Sequence, residues 1–338
     1  MELYGAIDLH GKNNILVIMG GKKKHLEKRM PNDLDYVLKE LKPYREDLTG
    51  IAVESTYNWY WLVDGLMEEG YKVHLTNTSA VKQYEGLKYT DDRHDARWLA
   101  QMLQLGILPV GYIYPKEERA ARDLLRKRSS FVRQRTANIL SIKNLIARNT
   151  GRTISANKVK QLTDEDVERM FENQDHAMAI KSSLHVMWSL DEEIKSIEKR
   201  VKEVASLRPE YRHLLTVPGI GEILAMTISL ETGDIGRFRK PGNYVSYCRG
   251  AKSTKLSDGK KKGKGNRKNG NKYLSWAYIE AATHCMQWSE SARKYYQRKS
   301  ARSNAIVARK SLAAKLTRAC YYIMRDQIPF DPKKMFGF

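Results

Sequence analysis

Strand and helix patterns alternate along the first hundred residues, and this order limits the possible folds more than any other feature. Apolar residues three to four apart indicate helices, and short apolar runs bounded by turn residues indicate strands. Predicted strands cover 3–9, 14–19, 25–30, 50–54 and 71–75, and predicted helices cover about 33–42, 59–69 and the segment from 91 onward. The sequence therefore predicts an α/β domain over 1–112 with helices packed on a mixed sheet.

Acidic residues stand at the ends of two of these strands and at the start of the last helix. Asp8 ends the first strand and Glu54 the fourth, while Asp92 and Asp95 share a helix face because they are three residues apart. Clustered carboxylates repel one another unless a cation holds them, and hard oxygen ligands are those that Mg²⁺ uses. The pattern predicts a site for one or two divalent ions, as in phosphoryl transfer.

Each of these acids also has a purely structural interpretation. Asp8 fits a strand-end turn and Glu54 an exposed acid, and the helix acids fit an N-cap and first turn stabilised by the helix dipole. Asp91 and Asp92 are alternative ligands, of which Asp92 is favoured and Asp91 is the expected cap. The histidines are scattered without a ligand motif, and we interpret most as ordinary surface or core residues.

The charge of the chain points to its partner. A formal net charge of +21 and a pI near 9.7 predict a polyanion, most simply nucleic acid. A membrane surface is the rival, but the sequence has no apolar run of transmembrane length and no signal peptide, so a cytoplasmic, nucleoid-associated protein of a bacterium or archaeon is expected. The three cysteines lie far apart, which predicts neither a zinc site nor a disulfide framework.

A basic helical region follows the α/β domain. Two long amphipathic helices, about 117–148 and 175–207, predict an antiparallel hairpin or coiled-coil arm over 113–208, whose apolar stripe also suits self-association. The alternative is a plain helical linker with a solvated cationic face. The nucleic-acid footprint expected on the arm is Arg119, Arg122, Arg126, Lys127, Arg128, Arg133 and Arg135.

The remainder, 209–338, is expected to be mostly helical and to hold two further nucleic-acid sites. The PGIG sequence at 218–221 resembles a helix-hairpin-helix motif, in which backbone N–H groups of Gly219 and Gly221 would meet a phosphate, although PGIG also serves as a structural turn. The segment 251–272 is predicted to be a flexible loop that orders on a phosphate backbone. Its basic residues are Lys252, Lys255, Lys260, Lys261, Lys262, Lys264, Arg267, Lys268 and Lys272.

The order Asp8, Glu54, Asp92-x-x-Asp95 on this pattern of elements resembles the DEDD-type RuvC-like domain of the RNase H superfamily. Its TD-x-x-DA form is similar to that of insertion-sequence transposases related to the Piv invertases. The C-terminal transposase domain of that family has similar blocks. They match PGIG at 218–221, GDIGRF at 233–238, YCRG at 247–250, SDG at 257–259 and KNGNKYL at 268–274.

The resemblance implies a DNA transposase or recombinase with a composite active site. The four acids would hold Mg²⁺ or Mn²⁺, and a serine would attack the DNA backbone to form a covalent DNA–serine intermediate. Ser257 is the candidate nucleophile and Ser253 the alternative, because many family members read Ser-Ser-Gly where this chain reads Ser-Asp-Gly. A hydroxyl needs an activating base or metal, and no base is evident beside Ser257 in the sequence.

The resemblance also implies a structured non-coding bridge RNA as guide and a homo-oligomer, a dimer or tetramer. Two rival functions remain at this point. One is a RuvC-like nuclease or Holliday-junction resolvase in which water attacks, and the other is a non-catalytic nucleic-acid-binding protein.

Overall fold

The structure is a computed structural model that describes residues 2–81, 91–251, 255–263 and 269–337. The chain packs into two compact units. The first comprises 1–116 with 253–269, and the second comprises 117–252 with 270–338. The division into a catalytic domain, an arm and a C-terminal domain stays a prediction.

Five strands form one mixed sheet in the first unit. They are β1 (Leu3–Leu9), β2 (Asn13–Gly20), β3 (Lys23–Pro31), β4 (Leu48–Glu54) and β5 (Val73–Thr76). Their order is β3-β2-β1-β4-β5, in which β1, β2 and β3 are antiparallel neighbours while β1, β4 and β5 run parallel. The predicted mixed sheet is confirmed.

Both faces of this sheet are covered, which explains why β1, β2 and β4 are largely apolar, whereas the edge strand β3 carries charged residues. Ile7 of β1 joins a core with the helices α1 (Leu34–Leu41) and α2 (Tyr60–Glu68), while the adjacent Ala6 joins a core with α3 (Asp92–Gln104). Successive strand residues point to opposite faces, so neighbours enter different cores. Because β1, β4 and β5 run parallel, their carboxyl ends lie at one common edge of the sheet.

The helices of the second unit follow the predicted order with additions. They are α4 (Lys116–Thr150, whose first residue belongs to the first unit), α5 (Ala156–Val159), α6 (Asp164–Met170), α7 (Gln174–Ala205), α8 (Pro209–Leu214), α9 (Glu222–Thr232), α10 (Pro241–Tyr247), α11 (Lys272–Trp288), α12 (Glu290–Ala301), α13 (Ala305–Asp326) and α14 (Pro332–Phe336). Within the described ranges, no helix has the length and apolar character needed to cross a bilayer.

The long helices α4 and α7 contribute to two apolar cores. Ile142 of α4 packs with Leu184 of α7 in one core, and Leu125 and Val201 join the larger core of the second unit. The earlier α4 residue, Leu125, shares a core with the later α7 residue, Val201, and the later α4 residue, Ile142, shares a core with the earlier α7 residue, Leu184. This order is that of an antiparallel hairpin. A coiled-coil arm stays a prediction.

The prediction of an irregular loop over 251–272 was wrong for its middle part. Strands β6 (Lys255–Ser257) and β7 (Lys260–Gly263) form an antiparallel hairpin. The two turn residues between them, Asp258 and Gly259, have φ of 52° and 66°. Positive φ at both positions is typical of a type I′ turn, for which Asp-Gly is a preferred sequence. The sequence therefore contained the signal for this hairpin.

Candidate metal and nucleophile site

Two acids meet where β1 and β4 end. Ile7 lies opposite Val53 in the parallel pair, so the next residues, Asp8 and Glu54, are neighbours at the same sheet edge. Asp8 is buried, with 3% of its surface exposed. The Glu54 carboxyl shares a hydrogen bond with Asp8. A buried carboxylate is costly unless it is paired, so this edge favours a proton or a cation between the two acids.

The start of α3 brings the helix acids to this edge. The Asp91 side chain accepts a hydrogen bond of 2.8 Å from the backbone N–H of His94 and caps the helix. The Oδ2 of Asp92 instead faces two basic side chains. It accepts a hydrogen bond of 3.0 Å from Nη2 of Arg29 and lies 3.4 Å from Nε2 of His10. The geometry separates the two neighbouring aspartates by role, because one carboxylate closes the helix and the other faces the acidic edge.

The pKa of Glu54 responds to the other three predicted acids. Burial, the hydrogen bond with Asp8 and the negative charges of Asp8, Asp95 and Asp92 raise the pKa of Glu54 to about 8. Like charges gathered in a partly buried site disfavour ionisation until a cation compensates them. A proton therefore holds this cluster together in the metal-free protein.

The donor atoms fit a divalent metal ion. One ligand atom each from Asp8, His10 and Asp92 lies within 4.8 Å of the others. Carboxylate oxygens suit Mg²⁺ and Mn²⁺, and an imidazole nitrogen is accepted by Mn²⁺ and later transition metals.

Sequence reasoning missed His10 as a member of this group. Its Nε2 lies 3.2 Å from Oδ2 of Asp8 and 3.4 Å from Oδ2 of Asp92. A signal was present, because residues two apart in extended chain point to the same face and His10 follows Asp8 by two. The backbone N–H of His10 bonds to the carbonyl of Asn13 at 2.9 Å, which continues the extended geometry past the end of β1.

The candidate nucleophile lies on a segment that belongs to the first unit. Ser257 is exposed and ends β6 directly before the Asp-Gly turn. The hairpin belongs to the same compact unit as the four acids. Ser253 lies outside the described residues.

The end of that segment reaches the acidic edge of the sheet. The Nδ2 of Asn77 donates to Oδ1 of Asn269 at 3.4 Å. Asn77 directly follows β5, and Thr76 of β5 pairs with Glu54 of β4. The contact is long for a hydrogen bond, but it lies one residue beyond the strand pair that holds Glu54.

Several arginines of the expected footprint are engaged within the second unit. Arg126 donates to both carboxylate oxygens of Glu231, at 2.6 and 2.7 Å, and Arg128 donates to Glu198 at 2.8 Å. Arg133 is exposed. Of the remaining footprint residues, Arg119 and Arg122 are buried, Arg135 pairs with Asp191 and Lys127 lies over the Phe131 ring. Nucleic-acid binding by Arg126, Arg128 and Arg133 stays a prediction.

The two glycines of the PGIG turn have different surroundings. Gly219 has φ of 88°, and a Cβ there would lie 2.3 Å from the backbone nitrogen of Cys285 in α11. Gly221 is the N-cap of α9 without a side-chain cap, and it has open space around it. An open cavity of about 550 Å³ adjoins the turn and is bordered by His284 and Trp288. Phosphate binding by Gly219 and Gly221 stays a prediction.

The basic residues at positions 252–268 divide into three groups. Lys260 and Lys262 are exposed on β7. Lys255 and Lys261 lie in the two strands of the hairpin. Lys252, Arg267 and Lys268, with Lys264, lie outside the described residues.

Comparison with known proteins assigns the class. A DEDD transposase model of the IS110 group matches residues 6–149, and the model described as the transposase IS116/IS110/IS902 family matches residues 211–297. The first match contains the acidic edge, and with the mixed sheet it fits an RNase H-like fold. The protein is a DNA transposase of the DEDD type. It belongs to the IS116/IS110/IS902 family.

Individual relatives agree with this assignment. The chain is 24% identical over 295 residues to a probable family 20 transposase of Pseudomonas aeruginosa, covering 83% of this chain and 86% of the relative. It is 22% identical over 282 residues to the transposase for insertion sequence element IS1111A of Coxiella burnetii, covering 82% and 74%.

Proposed function

We propose that this transposase cuts and joins DNA strands in a reaction that needs Mg²⁺ or Mn²⁺ and passes through a covalent DNA–serine intermediate. The observation that carries the proposal is the meeting of Asp8, Glu54, Asp92 and Asp95 at one sheet edge, in the same compact unit as the exposed Ser257. A site made of acids alone would suit hydrolysis of the DNA strand by water. The exposed serine directly before a tight turn supports attack on the strand by the protein itself.

The residues of the chain take distinct roles in this proposal. The four acids bind the divalent ion, which when bound favours ionisation of an attacking oxygen and stabilises a leaving oxygen. Ser257 Oγ loses its proton and forms a bond to phosphorus, while a sugar oxygen of the DNA leaves and gains a proton. The exposed Lys260 and Lys262 follow the turn on β7 and hold the phosphodiester by charge.

We further infer guidance by a structured non-coding RNA and assembly into a homo-oligomer. The net charge of +21 favours a polyanionic partner, and the exposed Arg133, Lys260 and Lys262 suit contacts to an A-form backbone. Self-association is supported by exposed apolar side chains on the long helices. These are Leu140, Met178 and Val186, with 53%, 67% and 50% of their surfaces exposed.

The test is strand cleavage and joining on labelled DNA that carries the junction of the element, with Mg²⁺ and RNA transcribed from the element end. Asp8→Asn and Asp95→Asn are expected to abolish product while the fold is retained. Asp35→Asn is the matched control, because Asp35 is an exposed acid on α1. Full activity of Asp8→Asn would contradict the proposed metal site, and activity without added RNA would contradict the guide.

A further inference from the structure

We infer that His10 is a metal ligand, and that together with Asp8 and Asp92 it forms a mixed nitrogen and oxygen site with a stronger preference for Mn²⁺ over Mg²⁺ than carboxylates alone would give. The inference rests on the proposed function, since it adds a residue to the metal site proposed there. It concerns which ion the site selects and which atoms hold it.

The separations of the donor atoms match those of ligands on one ion. Two atoms at about 2.1 Å from an octahedral ion and at right angles to each other are about 3.0 Å apart. Nε2 of His10 lies 3.2 Å from Oδ2 of Asp8 and 3.4 Å from Oδ2 of Asp92. Both separations exceed the octahedral value by only a few tenths of an ångström, and all three ligand atoms lie within 4.8 Å of one another.

The state of Nε2 also indicates a ligand. The ring of His10 keeps 38% of its surface exposed, but its Nε2 is buried and makes no hydrogen bond with good geometry to any residue that the structure describes. A buried polar atom without a hydrogen bond costs about 1–3 kcal/mol. A metal ion at this point would use the lone pair that the protein leaves unsatisfied, with the ring proton on Nδ1.

The backbone of His10 is fixed as a ligand position requires. Its carbonyl accepts hydrogen bonds from Nδ2 of Asn32 at 2.9 Å and from Nδ2 of Asn58 at 3.1 Å. Its N–H donates to the carbonyl of Asn13 at 2.9 Å. Three segments of the chain thus hold one residue, and such support orients ligands before the metal binds.

A nitrogen donor changes the selectivity of the site. Affinity for divalent first-row ions increases from Mn²⁺ toward Cu²⁺, and imidazole binds these ions better than it binds Mg²⁺, which prefers oxygen. The ratio of Mn²⁺ to Mg²⁺ affinity should therefore depend on His10 while residual binding depends on the acids.

Pulsed electron paramagnetic resonance of Mn²⁺ bound to the full chain tests this inference directly, because a coordinated imidazole gives a ¹⁴N coupling. We expect this coupling in the wild type and its loss in His10→Ala, with Mn²⁺ affinity lowered about tenfold or more and Mg²⁺ affinity lowered less. His10→Asp is expected to bind Mn²⁺ without the nitrogen coupling, which separates a ligand from a structural residue.

His25→Ala is the matched control. His25 of β3 also has a buried Nε2. It lies beside Gly20 and near the start of β1, whereas Asp8 lies near the end of β1. Its loss should leave the coupling and both affinities unchanged. Bound Mn²⁺ without a ¹⁴N coupling in the wild type overturns the role of His10 and leaves the acidic site intact. Mn²⁺ binding that survives Asp8→Ala unchanged overturns the proposed metal site itself.

Discussion

The ion pair between Arg126 and Glu231 gives the sharpest prediction for the second unit, because it places an arginine against a buried carboxylate. The Glu231 side chain is 2% exposed and receives two hydrogen bonds from the guanidinium of Arg126, at 2.6 and 2.7 Å. The Nδ2 of Asn271 donates to it at 2.7 Å, and Asn271 caps α11. One buried carboxylate therefore joins α4, α9 and α11.

The cost of removing the arginine follows from these contacts. Breaking a buried ion pair typically costs about 3–5 kcal/mol, since the remaining charge stays buried. Arg126 is 31% exposed and Asn271 still donates, so we expect Arg126→Met to lower the free energy of unfolding by about 3 kcal/mol, the lower end of that range. At about 2–4 °C per kcal/mol for a unit of this size, the Tm falls by about 6–12 °C.

Thermal unfolding followed by circular dichroism measures this effect. Arg133→Met is the control, because it removes the same charge from an exposed position on the same helix and should change stability by less than about 0.5 kcal/mol. The double variant Arg126→Met, Glu231→Leu should regain part of the loss, because no buried charge is left unpaired. Equal melting temperatures of Arg126→Met and Arg133→Met would mean that the Arg126–Glu231 pair does not stabilise the second unit.

Three further predictions concern the metal edge, the PGIG turn and the basic hairpin. Because the pKa of Glu54 is raised from 4.5 to about 8, the metal-free protein should lose stability as pH rises through that interval. The Mg²⁺ affinity should increase up to about pH 8, as calorimetric titration would measure. Gly219→Ala should lower the Tm strongly because a Cβ would lie 2.3 Å from a backbone nitrogen of α11, whereas Gly221→Ala should melt almost like the wild type. Lys260→Ala and Lys262→Ala should each reduce the slope of log affinity for nucleic acid against log salt by about 1, measured by fluorescence anisotropy.

The α/β unit could be predicted from the sequence to a large extent because its signals are local. Strand β1 occupies Leu3–Leu9 as predicted, and the turn before β3 contains Gly21 with φ of 61°. The acids were recognisable because strand ends and helix starts are visible in sequence, and parallel neighbours must end at a common edge.

The parts that sequence reasoning missed depend on long-range partners. Arg126 reads as a cationic surface residue, and nothing local shows that Glu231, 105 positions later, is buried against it. His10 follows one partner, Asp8, by two residues, but the other partner, Asp92, is distant in sequence, and the local signal alone does not distinguish His10 from an ordinary histidine. The hairpin at 255–263 was a different kind of miss, because its Asp-Gly turn was present and the surrounding lysines and glycines were interpreted as disorder.

Trapping the covalent DNA–serine intermediate would test the proposed mechanism on the protein itself. Wild type, Ser257→Ala and Ser253→Ala would each be incubated with labelled junction DNA, the guide RNA and Mg²⁺, then denatured and analysed for DNA linked to protein. We expect an adduct in the wild type and in Ser253→Ala and none in Ser257→Ala. Cleaved DNA without an adduct in any of the three proteins would contradict the serine mechanism and favour hydrolysis by water at the acidic edge.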